Sequence, residues 1–145
     1  MNKKFFAVIL IVFFFGNVSA QTNAGYELAL TAFSTSTTNI QHYESFTVTT
    51  TPRNVGLEQF SGGEVGAALV DNNGRIAAVI GTRNRGALNA GSLSGALEFN
   101  CTVPHAVNPG RYRLMAVVRP ANRQWRIATL TMSSRTPTAI DFTVS

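Results

Sequence analysis

The stretch EVGAALVDNNGRIAAVIGT, residues 64–82, decides the fold class. Two apolar runs flank the tetrapeptide DNNG at residues 71–74, and these four residue types favour a tight turn. The stretch therefore predicts a β-hairpin with arms at residues 64–70 and 75–80. A hairpin establishes architecture and no chemistry, so the function has to be sought elsewhere in the chain.

Alternating or β-branched runs recur outside this hairpin, with turn residues between them. Residues 26–33 alternate in a way that places Tyr26, Leu28, Leu30 and Ala32 on one face of a strand. Other strands are predicted at residues 45–51, 92–103, 111–118, 124–132 and 138–144, and residues 34–39 and 83–91 are predicted as polar connections.

Seven to eight strands at a spacing of about 8–12 residues, with no helical periodicity, predict an all-β fold. The expected architecture is an immunoglobulin-like antiparallel β-sandwich, and a closed barrel is the alternative. Strands do not alternate with helices, so a parallel sheet is not expected. Residues 21–145 contain no internal repeat or linker and are predicted to form a single domain.

Residues 1–20 have the three parts of a cleavable signal peptide. Lys3 and Lys4 are basic, residues 5–15 are uninterruptedly apolar, and residues 18–20 are the small residues of a cleavage site. An apolar run of about 11 residues is too short to span a bilayer comfortably, although an N-terminal membrane anchor is the alternative. We therefore expect export to the periplasm, cell surface or medium, with no membrane insertion after signal cleavage.

The charge of the exported chain is mild. Both lysines lie in the predicted leader, so the remaining basic residues are ten arginines, which seven acidic residues oppose to leave +3. A nucleic-acid-binding domain normally has a denser basic face. Nucleic acid is therefore not expected as a partner.

Cys101 is the single cysteine, so no disulfide can form within the chain. Alternation over residues 97–103 places this side chain on the inner face of a strand, where it is predicted to act as a small buried hydrophobe. A reactive thiol or an intermolecular disulfide is the alternative. A nucleophilic pair would need His42 or His105 beside the sulfur, and an inward-facing strand cysteine is a poor nucleophile.

Other catalytic and metal-binding patterns are missing from the sequence. No G-x-S-x-G motif is present, and the histidines and cysteine do not have the spacing of a zinc site. The DNNG segment is not followed by the acidic residue that would complete a calcium loop. The chain is therefore predicted to be no enzyme and to bind no metal and no cofactor.

Two arginine-containing segments are candidates for a binding surface. One has a lone tryptophan among arginines beside a predicted turn, a combination that can stack on a sugar ring or anchor a protein interface. The other has two arginines that can meet an acidic partner. The alternatives are a tryptophan packed on the core among solvated arginines, and a solvated loop. The candidate residues are Arg83, Arg85, Arg119, Arg123, Trp125 and Arg126.

The order of several short motifs adds a resemblance to a known family. The motifs are NVG at 54–56, FSGGEVGAALVDNNGRI at 60–76, CTVP at 101–104, NPGRYRL at 108–114, RP at 119–120, WRIA at 125–128 and PTAIDFTV at 137–144. Over most of residues 46–144 the chain resembles the immunoglobulin-like accessory modules found C-terminal to streptopain-like secreted bacterial cysteine peptidases. The resemblance implies a stand-alone interaction or adhesion module and, because the peptidase domain is missing, no catalytic residue.

We therefore expect an exported, non-enzymatic module that binds a protein or glycan at the cell envelope or outside the cell. An inhibitor or chaperone of a secreted streptopain-like cysteine peptidase is one alternative. A structural subunit of an envelope assembly, joined through exposed edge strands, is another. The sequence does not specify the oligomeric state.

Overall fold

Two β-sheets packed face to face form the protein in the computed structural model, which describes residues 25–145. One sheet has the strand order β1-β3-β6, and the other has the order β2-β9-β7-β4-β5 with β8 also paired to β7. The strands are β1 (Leu28–Thr35), β2 (Asn39–Ile40), β3 (Ser45–Asn54), β4 (Gly63–Val70), β5 (Ile76–Arg85), β6 (Leu97–Thr102), β7 (Gly110–Pro120), β8 (Arg126–Ile127) and β9 (Ile140–Val144). The predicted all-β sandwich is confirmed, whereas the leader predicted at residues 1–20 lies outside the described residues.

The core lies between the two sheets. Alternate residues of each strand point inward, and they bury an almost entirely apolar set. Its largest fully buried side chains are Phe60, Phe142, Leu30, Leu69 and Leu114. Among residues 25–145 no helix is long and apolar enough to span a membrane.

The hairpin predicted from residues 64–82 is present as β4 and β5. The Asp71 carboxylate accepts hydrogen bonds from the backbone amides of Asn73 at 2.8 Å and Arg75 at 3.0 Å, and Gly74 has a φ of 77°. These contacts use the carboxylate to close the turn, which is the role that the residue types predict.

The prediction of a polar connection at residues 83–91 is wrong for residues 83–85, which belong to a strand. β5 continues to Arg85, because β4 begins at Gly63 and the two strands stay paired to that point. Arg83 is therefore a strand residue and not a loop residue. The exposed polar side chains at the end of β5 resemble those of a loop, so the sequence predicts a loop here. Pairing of the backbone with β4 makes these residues part of the strand.

The face predicted for Ala32 is also wrong. The register between β1 and β3 shifts between Leu30 and Ala32, so an extra residue enters β1 at Thr31. A bulge of this kind moves every following side chain to the opposite face. As a result Phe33 is buried and Ala32 is exposed.

The strand predicted at residues 124–132 is divided between the two sheets. Residues 126–127 form β8 and pair with β7. Residues 130–132 cross to the other sheet, where the Leu30 amide donates to the Leu130 carbonyl at 2.9 Å and the Met132 amide donates to the Leu30 carbonyl at 2.8 Å. Because residues 126–127 pair with β7 while residues 130–132 pair with β1, strands β1 and β8 diverge on one side of the sandwich.

The side chain of Asn54, fully buried at the end of β3, makes four hydrogen bonds. Its oxygen accepts from the backbone amides of Glu27 and Gly56, both at 3.1 Å. Its nitrogen donates to the carbonyls of Glu58 at 2.7 Å and Leu88 at 3.0 Å. One amide therefore satisfies four backbone groups from three separate segments.

We expect Asn54→Ala to lower the free energy of unfolding by about 3 kcal/mol, because it removes four hydrogen bonds of a fully buried side chain, each contributing about 0.5–1.5 kcal/mol. Urea denaturation would measure the loss. Asn100→Ala, on the exposed face of β6, is the matched control and should change stability by less than about 0.5 kcal/mol. Equal stability of the two variants would contradict the role assigned to Asn54.

Candidate functional site

The residues predicted as a binding surface lie at one end of the six-stranded sheet but do not form one patch. Arg119 of β7 forms an ion pair with Glu64 of β4, beside it in the sheet. Arg83 of β5 aligns with the buried Val65, so it lies on the opposite face from Arg119, and its guanidinium donates to the Glu98 carbonyl at 2.8 Å. The candidate residues Arg119 and Arg83 thus lie on two different faces of the sheet.

Trp125 is half-buried on the outer face of this sheet. A Cβ built on Gly66 would lie 3.4 Å from its Cη2 atom, so the indole lies against backbone that a side chain would otherwise cover. The Arg119 guanidinium lies 5.1 Å from the ring centroid, within cation–π range. The tryptophan therefore packs on the sheet with an arginine beside it. This arrangement agrees with the alternative of a packed tryptophan among arginines better than with an open stacking surface.

A cleft of about 330 Å³ opens where β1 and β8 diverge. We call it the edge cleft; it is lined by residues 25–28, 55–57, 118 and 126–130. The backbone bridge between Leu30 and Thr131 closes one end of the cleft. On the other side of that bridge, β8 pairs with β7 while the start of β1 stays paired with β3, so the two strands separate.

Exposed apolar side chains concentrate on this cleft. Six large hydrophobic residues are exposed among residues 25–145, and three of them line it: Val55 at 38%, Leu57 at 79% and Leu130 at 41%. Isolated exposed leucines are ordinary, but several on one concave surface are typical of an interaction site. The cleft therefore has an apolar rim that the sandwich itself does not need.

One guanidinium is held at the wall of the edge cleft. Arg126 lies 4.7 Å over the ring of Tyr26, and Tyr26 packs edge-on against Phe60 with their centroids 4.9 Å apart. No described carboxylate lies within 4 Å of this arginine. Arg126 is thus a positioned cation with its charge open to a ligand, and it is the one predicted site residue that lines the cleft.

Gly56 fixes the distance between two walls of the cleft. A Cβ at this position would lie 2.5 Å from the Gly25 carbonyl oxygen and 2.6 Å from the Glu27 nitrogen. Any larger residue would push the 55–57 turn away from the start of β1. The NVG motif predicts a turn here, but nothing in the local sequence predicts that Val55 and Leu57 face a cleft.

Aromatic rings gather at another surface, formed by the loops before β3 and before β7. The His42 Nε2–H donates to the Val107 carbonyl at 2.6 Å, and the His42 and His105 rings lie 5.5 Å apart. Tyr43, 68% exposed and at a φ of 66°, stacks beside His105. Within the described chain, no three histidine, cysteine or acidic side chains gather closely enough to hold a metal ion.

Cys101 faces the core, as the alternation predicts. Burial raises the pKa of its thiol from an ordinary value of 9.0 to about 12. A Cβ on Gly81 would lie 2.5 Å from the sulfur, so β5 and β6 meet closely at this point. The thiolate that a nucleophile requires is therefore strongly disfavoured at neutral pH.

No protein family model matches this chain, and no curated protein matches it either. Solved structures are similar at low identity. A CARDB domain from Pyrococcus furiosus, in complex with di-metal ions, is 16% identical with a TM-score of 0.45 over 86% of this chain and 92% of that one. The two-sheet sandwich described above is therefore similar in structure to this CARDB domain, at low sequence identity.

Two larger proteins contain a similar region. An alkylpurine DNA glycosylase from Pseudomonas fluorescens, bound to DNA, is 12% identical with a TM-score of 0.49 over 84% of this chain and 31% of that one. A β-glucosidase from Listeria innocua, in complex with glucose, is 18% identical with a TM-score of 0.42 over 83% and 16%.

The Cys101 thiol gives a pH dependence of stability that can be measured. Because the folded state keeps the proton after the unfolded chain has released it, stability is greatest below about pH 9 and falls as the pH rises toward 12. We expect the free energy of unfolding to fall more steeply between about pH 8 and about pH 10.5 in the wild type than in Cys101→Ala. Parallel curves for the two proteins would contradict the buried, protonated thiol.

Proposed function

We propose that this protein is an exported, non-enzymatic immunoglobulin-like module that binds a protein partner through the edge cleft. The observation that carries the proposal is the concentration of exposed apolar side chains and one positioned guanidinium on a single concave surface. Exposed apolar side chains that gather on one surface mark an interaction site. The remaining lining of the cleft is mainly polar and supplies hydrogen-bonding groups beside the apolar rim.

The strand order supports the immunoglobulin-like class. Named A to G in such folds, β1, β3 and β6 take the places of strands A, B and E, and β9, β7, β4 and β5 those of G, F, C and C′. The Tyr112 hydroxyl at the start of β7 donates to the Asn108 carbonyl at 2.7 Å, which is the hydrogen bond of a tyrosine corner.

The resemblance to accessory modules of streptopain-like peptidases is supported by the same framework positions. Its NVG motif contains Asn54 and Gly56, and its NPGRYRL motif contains Tyr112. These residues hold turns and segments in place. Of the cleft residues, Arg126 lies within the WRIA motif, whereas Leu57 lies outside the motifs. We infer a shared scaffold to which Leu57 adds an apolar rim residue of this chain's own.

A protein partner is favoured over a glycan by the position of Trp125. A sugar-binding tryptophan presents an open ring face, and this indole lies on Gly66 with Arg119 beside it. The edge cleft offers exposed aliphatic side chains at Val55, Leu57 and Leu130, which suit the apolar side chains of a protein better than the polar faces of sugars. Export follows from the signal peptide expected at residues 1–20.

We expect Leu57→Arg to abolish partner binding without loss of fold, because Leu57 is 79% exposed. Wild-type and variant proteins would be immobilised and exposed to envelope and culture fractions of the producing cells, with captured proteins quantified by mass spectrometry. Leu93→Arg is the matched control, since Leu93 is 57% exposed and does not line the cleft.

The expected result is a protein captured by the wild type and by Leu93→Arg, and at least about tenfold depleted on Leu57→Arg, a change of about 1.4 kcal/mol in binding. The proposal fails if every protein captured by the wild type is captured equally well by Leu57→Arg.

A further inference from the structure

We propose that the edge cleft receives an extended peptide segment of the partner as an added β-strand. The segment forms backbone hydrogen bonds with Leu28 and Ile127, places apolar side chains on the rim and presents an acidic side chain to Arg126. This inference rests on the proposed function and specifies what the partner offers.

The first wall supplies a backbone edge at Leu28 whose outward N–H and C=O groups have no backbone partner among residues 25–145. In an antiparallel strand the N–H and C=O groups of alternate residues point to opposite sides. The Val55 amide donates to the Glu27 carbonyl at 2.7 Å, so the backbone groups of Glu27 point toward β3. Those of Leu30 point the other way, toward residues 130–132. Leu28 lies between them in phase with Leu30, and its backbone groups therefore point into the cleft.

The opposite wall supplies a second such edge at Ile127, again without a further strand partner in the described part of the chain. The Ala128 amide donates to the Ala116 carbonyl at 2.9 Å, and Arg126 aligns with Val118. The backbone groups of Arg126 and Ala128 therefore point toward β7. Ile127 lies between them, and its backbone groups point away from β7. Because Ile127 also lines the cleft, both walls present backbone donors and acceptors to the same space.

Unpaired strand edges are the usual template for strand addition by an extended peptide. Backbone bonds give such complexes their affinity, and alternate side-chain contacts give specificity. The cleft volume of about 330 Å³ lies at the lower end of ligand pockets, ~300–1,000 Å³, which suits a few residues of extended chain.

Charge complementarity determines the side chain that faces β8. Arg126 has no described carboxylate partner, so an aspartate or glutamate of the peptide would complete it. Glu27 lies on the opposite wall, where a second carboxylate would be repelled. The favoured segment therefore has an acidic residue on its β8 side and apolar residues toward Leu57 and Leu130.

The test is a selection of short linear peptides from a random display library on the full wild-type protein. Binders that also bind Leu57→Arg are removed, and Leu130→Arg replaces it if circular dichroism shows that Leu57→Arg is misfolded. We expect enriched sequences that alternate apolar residues and contain one acidic residue. The proposal is overturned if no linear sequence is enriched.

A synthetic copy of the best peptide then tests the backbone bonds. N-methylation of the central amides should lower its affinity at least about tenfold, while methylation near either end should have little effect. Arg126→Gln should weaken the acidic peptide but not its amide analogue, and Arg111→Gln, at the far end of β7, should weaken neither. Affinity indifferent to methylation at every amide would overturn the added strand.

The two proposals fail separately. Leu57-dependent capture of a partner without any selected peptide would contradict the added strand but not the proposed binding function. Capture that is independent of Leu57 would contradict the proposed binding function itself, whether or not peptides are selected.

Discussion

The buried side-chain amide of Asn54 is the contact on which the cleft side of the sandwich depends. Its four hydrogen bonds tie the start of β1, the 55–58 turn and the segment around Leu88 to the end of β3. The amide is fully buried, so leaving its oxygen and nitrogen without these partners would be costly. Since β1 and the turn are walls of the edge cleft, this single amide also sets the shape of the proposed binding surface.

The two sides of the sandwich are closed in different ways. On one side β5 meets β6, where Gly81 brings the backbone close to Cys101 and the Arg83 guanidinium binds the Glu98 carbonyl. On the other side, residues 130–132 cover β1 at Leu30, and the sheets part below that bridge. The sealed side contributes packing, and the open side leaves backbone edges and apolar side chains exposed at the proposed binding surface.

Much of the architecture was predictable because it depends on local chemistry. The DNNG turn needs an acceptor at Asp71 and a positive φ at Gly74, and both are visible in the sequence. Likewise, alternation alone places Cys101 in the core. The bulge at Thr31 and the strand residues around Arg83 were not predictable in this way, because pairing with a distant strand decides them.

The candidate site was the least predictable part. Arg126 was identified from its place beside Trp125, but the structure separates these neighbours, with the indole on Gly66 and the guanidinium on Tyr26. Leu57 becomes a rim residue through the contact of Gly56 with backbone some 30 positions earlier in the chain, a long-range approach that no periodicity reveals. The cleft is thus a property of how segments divide between sheets.

Hydrogen exchange of the Leu28 and Ile127 amides, followed by NMR with and without the bound partner, tests the central claim most directly. In the free protein both amides should exchange faster than those of their neighbours Ala29 and Ala128, which are paired with β3 and β7. On binding, both should become protected by at least about tenfold while Ala29 and Ala128 change little. A saturated complex in which the Leu28 and Ile127 amides exchange as they do in the free protein would contradict the account.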